Sequence, residues 1–140
     1  EAKPNQVIDI TNALSQYSFV GMGRDGEENG ESSNIFYKKD RFILKETNTF
    51  WLSETPNKIS KGWDAAFNRV CTYVLLKDTK QNKFFWVFNT HLDHVGEIAR
   101  TKGIELILKQ IEKVNTKNYP VFLLFRHPEF PKQRTTKNTC

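Results

Sequence analysis

Two imidazoles and a carboxylate fall within four residues, His91-Leu92-Asp93-His94. Histidine exchanges a proton near neutral pH, and a neighbouring carboxylate can orient its ring. Three chemistries are open to such a group. It can be a polar strand end carrying a hydrogen-bonded histidine. It can ligate Zn, Mn or Fe, which imidazole and carboxylate both suit. It can also present an imidazole N–H to a phosphoryl oxygen.

What must position these side chains is the run just before them, Phe84-Phe85-Trp86-Val87-Phe88. A short continuous apolar run bounded by polar residues predicts a strand covered on both faces. Asn89-Thr90-His91 then lies where the chain leaves the sheet. Val70–Lys77 predicts a partner strand, joined through the turn-rich Asp78-Thr79-Lys80-Gln81-Asn82 as a hairpin. After the His-Asp-His group, Ile104, Ile107, Leu108 and Ile111 follow the i, i+3, i+4, i+7 spacing of an amphipathic helix. Pro120–Leu124 predicts another buried strand.

Upstream, residues 4–14 predict a short helix with Pro4 in its first turn. Strands are expected at 17–21, 34–37 and 41–44, and a polar loop with two glycines at 24–31. Thr49–Pro56 starts extended and ends in a turn. A long loop over 57–68 contains Lys61-Gly62-Trp63-Asp64, and long loops with aromatic and charged residues often carry function. Hairpins with helices at intervals indicate a layered α/β or α+β domain.

The chain has 140 residues, enough for one domain with a real core, and its 13% aromatic content excludes disorder throughout. No run approaches the ~20 apolar residues needed to span a bilayer. Cys71 and Cys140 form neither a disulfide framework nor a zinc pattern, and they leave the compartment open. The net charge is +5. Arg126, Lys132, Arg134 and Lys137 face a single Glu129 in residues 126–140, so the body is nearly balanced and argues against a tight duplex-DNA face.

For the metal chemistry, the nearest pattern is the His-x-His-x-Asp-His motif of metallo-β-lactamase-like hydrolases, but Asn89 stands where its first His would be. Four other segments, in order, decide for the phosphoryl chemistry: residues 35–42 (IFYKKDRF), 50–56 (FWLSETP), 62–66 (GWDAA) and 89–94 (NTHLDH). Together they resemble the endonuclease/exonuclease/phosphatase family, in the manner of its bacterial, deoxyribonuclease-I-like members, from Glu1 to about Leu124.

The resemblance implies part of a four-layer α-β-β-α sandwich with mixed, mainly antiparallel sheets, and a divalent-metal-dependent hydrolase of phosphate esters. Glu1-Ala2 matches the family's metal-binding Gln-Glu-Ala segment, so Glu1 would hold Mg²⁺ or Mn²⁺, although a first residue is prone to fray. His91 would face the phosphate, with Glu31 as the carboxylate that orients it. Arg69 would contact phosphate, Asp93 and His94 would line the rim, and Trp63 with Trp51 would shape a cleft. The substrate would be a nucleic acid, nucleotide or phospholipid head group, acted on by a monomer.

Where relatives carry Gly-Asp-Phe-Asn, this chain reads Phe125-Arg126-His127-Pro128-Glu129-Phe130. The family's first strand, its later strands and its terminal Asp-His pair are also not in the sequence. The expectation is therefore a partial domain over 1–125 with a frameshifted or otherwise divergent basic tail over 126–140, inactive or impaired in catalysis. The alternative is a non-catalytic remnant or binding module of the same fold.

Overall fold

The computed structural model describes residues 1–126. The tail sequence from His127 to Cys140 lies outside the described residues.

Eight elements follow in order: α1 (Pro4–Ala13), β1 (Tyr17–Val20), β2 (Ile35–Lys38), β3 (Phe42–Trp51), β4 (Val70–Asp78), β5 (Lys83–His91), α2 (Glu97–Val114) and β6 (Val121–Arg126). They form a two-stranded sheet, β1-β2, and a four-stranded sheet ordered β3-β4-β5-β6. All pairings are antiparallel except β5-β6, which is parallel and is connected through α2. The mixed, mainly antiparallel expectation holds.

Side-chain alternation along β4 and β5 builds the layers. Cys71, Tyr73, Trp86 and Phe88 point to one face, where Ile107 of α2 closes a core with Phe50, Leu52 and Leu92. Val74 and Leu76 point to the other, where Ile35 of β2 and the flanking Val20, Tyr37, Phe85 and Val87 join them. The two sheets thus meet face to face, with α2 behind the larger one and α1 against β1. Of α1, no residue is fully buried.

Two strand boundaries differ from expectation. β3 runs unbroken through Lys45-Glu46-Thr47-Asn48, which the sequence pattern leaves between two pieces. This is an edge strand with a bulge at Leu44/Glu46, so polar residues there meet solvent and carry no apolar alternation. β6 extends past Leu124, pairing Phe125 with Thr90 and Arg126 with His91. Arg126, grouped with the tail on sequence grounds, is the last residue of that strand.

Candidate active site

The site forms at the end of the larger sheet where β5 ends and β4 begins. Its floor is Asp93, which is only 2% exposed. One carboxylate oxygen accepts the backbone N–H groups of Ala66 (3.1 Å), Val95 (3.0 Å) and Gly96 (2.8 Å). The other accepts from Phe67 N–H (3.4 Å) and from Arg69 Nε (3.2 Å). Burial opposes ionisation here, but the N–H donors of Gly96, Ala66 and Val95, with Arg69, outweigh it and hold the carboxyl well below the usual range. Expected at the rim, Asp93 is instead a buried anchor, because two donors from its own turn and three from the 66–69 segment converge on one carboxylate.

Asp93 in turn fixes Arg69, whose backbone carbonyl also accepts from Leu52 N–H at 2.8 Å. The Arg69 side chain is 5% exposed. With Nε on Asp93, its two remaining nitrogens fan outward. Nη1 donates to Glu1 Oε1 (3.0 Å) and to His91 Nδ1 (3.1 Å), and Nη2 donates to His94 Nδ1 (3.1 Å). A guanidinium has no acceptor and stays charged, so His94 receives at Nδ1 and carries its proton at Nε2 when neutral, whereas His91 Nδ1 faces both an Arg69 donor and a Glu1 carboxylate oxygen that can only accept.

Glu1 sits against His91 Nδ1, Arg69 and Arg24. Burial opposes its ionisation, while attraction to His91 and Arg69 keeps the carboxyl below its ordinary value. Rather than fraying, the start of the chain is tied down by a reciprocal bridge, Ala2 N–H to Ser32 O (3.0 Å) and Ser32 N–H to Ala2 O (2.8 Å). For His91, burial lowers the pKa; Arg69 and Arg126 add to this and exceed the opposing pull of Glu1. The neutral ring is therefore favoured over the imidazolium.

Glu31 does not meet His91 in a hydrogen bond; it pairs with Arg24 at 2.9 Å. The carboxylate beside His91 is Glu1, while Arg24 holds Glu31. Arg24 is a residue sequence reasoning missed. Its Nη1 joins Glu31 to Glu1 (3.3 Å), and its carbonyl is held by Trp51 Nε1 (2.7 Å) and Asn68 Nδ2 (3.4 Å). Trp51 is accordingly a buried clasp between the loop and β3. Nothing in a polar glycine-bearing loop marks one Arg out. The only available signal was an Arg and a Glu flanking turn glycines, of which Gly26 and Gly30 adopt positive φ.

His94 is exposed and stacks on Phe67, with ring centroids 5.8 Å apart and planes at 22°. Trp63 lies on the loop before Arg69, half-buried and at positive φ, with its N–H shared by both oxygens of Glu54. No hydrogen bond joins it to His91 or Arg69. The neighbouring Asp64 takes a structural role: it accepts from Ile98 N–H (3.4 Å) and Ala99 N–H (2.7 Å), satisfying open donors at the start of α2. A Cβ on Gly96 would lie 2.5 Å from Asp64 Oδ1 and 2.8 Å from its carbonyl, so this contact requires glycine. Asn89, at the position a zinc hydrolase fills with His, donates to Asn34 O at 2.9 Å.

Mg²⁺ is commonly held by one or two carboxylates, with water and substrate phosphate completing its shell. Glu1 is a hard oxygen donor of that kind. Among the described residues no group of three or more His, Cys, Asp or Glu could hold an ion. The donor chemistry thus fits an ion held at a single carboxylate, and does not fit a closed protein cage.

No family model matches the sequence. Among solved structures, the chain is similar to an endonuclease/exonuclease/phosphatase family protein of Bacteroides thetaiotaomicron, with TM-score 0.85 and 38% identity over 89% of this chain and 46% of that one. It is also similar to a mannosyl-6-phosphatase of the same organism, with TM-score 0.81 and 42% identity over 85% of this chain and 45% of that one. An uncharacterised protein of Acanthamoeba polyphaga mimivirus shares 33% identity over 82 residues, covering 56% of this chain and 30% of that protein. The chain spans about half the length of the two solved structures. By fold, and by sequence over most of its own length, the chain is similar to solved structures of the endonuclease/exonuclease/phosphatase family.

Proposed function

We propose that this chain carries the phosphate-recognising part of a phosphoester hydrolase that works with Mg²⁺ or Mn²⁺ at Glu1. The observation that carries this reading is the buried Arg69, pinned by Asp93 and offering its outer nitrogens among Glu1, His91 and His94. Guanidinium matches the geometry of phosphate oxygens. In its Nε2–H form His91 would donate to a phosphoryl oxygen, and Arg69 would balance the charge that develops there. Glu31 and Arg24 would hold the 23–31 loop against this group. When bound, the ion would polarise the phosphoryl group and neutralise its charge.

The similarity to a mannosyl-6-phosphatase favours a phosphomonoester within this class. A binding-only reading is favoured by a different observation. After β6 the sequence is Phe125-Arg126-His127-Pro128, with no Asp or Asn in the place where the family carries Gly-Asp-Phe-Asn. Hydrolysis of phenyl phosphate and bis-p-nitrophenyl phosphate with Mg²⁺ or Mn²⁺ separates the two. Turnover abolished by His91→Ala establishes the catalytic reading. Phosphate binding without turnover in either protein establishes the binding module. The absence of a phosphate-binding step would overturn both.

A further inference from the structure

Phe67 is 48% exposed, and its ring is placed among the charged groups of the site rather than in a core. The Arg24 guanidinium lies 4.7 Å from its centroid and that of Arg69 lies 5.9 Å away, while the His94 ring stacks against it. Its backbone is fixed from below by the buried Asp93 carboxylate. A lone exposed Phe is unremarkable on a protein surface. This one has its backbone N–H on Asp93 and its ring flanked by two guanidinium groups and an imidazole, and a phosphate bound to Arg69 would bring whatever it esterifies within reach of the ring.

We propose that Phe67, with His94 beside it, is the surface on which the site seats the organic part of its substrate. That part would be a ring with an apolar face, a sugar or a nucleoside bearing a phosphomonoester. Aromatic side chains bind such rings through stacking that tolerates variation in the ring's edge. This inference rests on the phosphate-recognition reading above, and it names the substrate class that reading leaves open.

The test is binding to the 140-residue chain with Mg²⁺, followed by calorimetry for four ligands. These are inorganic phosphate, glycerol 3-phosphate, a hexose 6-phosphate and a nucleoside 5′-monophosphate. A ring-bearing phosphate is expected to bind about tenfold tighter than glycerol 3-phosphate, in line with stacking contributions measured by alanine substitution. Phe67→Ala should erase that preference and leave inorganic phosphate binding in place. Phe67→Trp, which keeps an aromatic face, should retain it. Whichever of the two rings binds tighter identifies the source. Absence of a ring preference in the wild-type chain, or its survival in Phe67→Ala, overturns the proposal. So does an equal loss for all four ligands, which would make Phe67 only a support for Arg24 and Arg69. If inorganic phosphate fails to bind the wild-type chain, it is the phosphate-recognition reading that fails.

Discussion

The two ends of β4 carry the same pair of side chains with different consequences. At one end Arg69 Nε meets Asp93 Oδ2 at 3.2 Å, and at the other Arg41 Nη2 meets Asp78 Oδ2 at 2.9 Å. Asp78, like Asp93, also collects backbone donors, from Lys80 (2.9 Å) and Gln81 (3.4 Å) in the hairpin turn. The difference is exposure and what lies beyond. Arg41 has 38% of its side chain in solvent and its guanidinium serves one carboxylate, with the Phe42 ring 5.3 Å away. Arg69 has 5% in solvent and passes its remaining nitrogens on to a carboxylate and two imidazoles. An arginine-aspartate pair therefore marks a site only when the aspartate buries one edge of the guanidinium and leaves the other edges to do something else.

The largest effect expected from this contrast is on folding. Asp93→Ala leaves Arg69 and several N–H groups buried without a partner, and breaking such a pair costs about 3–5 kcal/mol. Asp78→Ala frees an arginine that is already 38% exposed and can turn to water, and is expected to shift the melting temperature less. Parallel thermal melts of the two variants check this, and equal shifts would dissolve the distinction.

A smaller effect is expected from pH. His91 titrates below its ordinary value of 6.5, and Glu1 below its ordinary value of 4.5. A folded-state pKa below the unfolded one gives stability that is present above the unfolded value and lost as pH falls through the folded value. The chain should therefore lose stability on acidification, first below about pH 6.5 from His91 and then below about 4.5 as the carboxylates protonate. Urea midpoints measured across this range should fall with pH, and His91→Ala should flatten the upper part of the curve.

Much of the scaffold is legible in the sequence because its signals are local. The apolar run at 84–88 places β5, the Ile104-Ile107-Leu108-Ile111 stripe places α2, and the end of β5 delivers His91. The site is less legible because it is assembled by tertiary contact. That Asp93 turns inward depends on the backbone of Ala66 and Phe67, some 27 residues earlier in sequence for Ala66. That Arg24 joins Glu1 to Glu31 depends on Trp51 and Asn68 reaching its carbonyl. Glu1 rather than Glu31 stands beside His91, and the Arg24 guanidinium joins the two carboxylates. Periodicity and spacing carry no information about such contacts.

The most direct test of the central claim is the affinity of inorganic phosphate for the wild-type chain and for Arg69→Met, followed by ³¹P NMR with Mg²⁺ present and with folding of both proteins checked by circular dichroism. Met keeps most of the apolar stem and removes the charge and its donors. If Arg69 is the phosphate-recognising hub, the folded variant should lose phosphate binding by at least about tenfold, the scale of one charge-assisted hydrogen bond or more. Unchanged phosphate affinity in a folded Arg69→Met would contradict it.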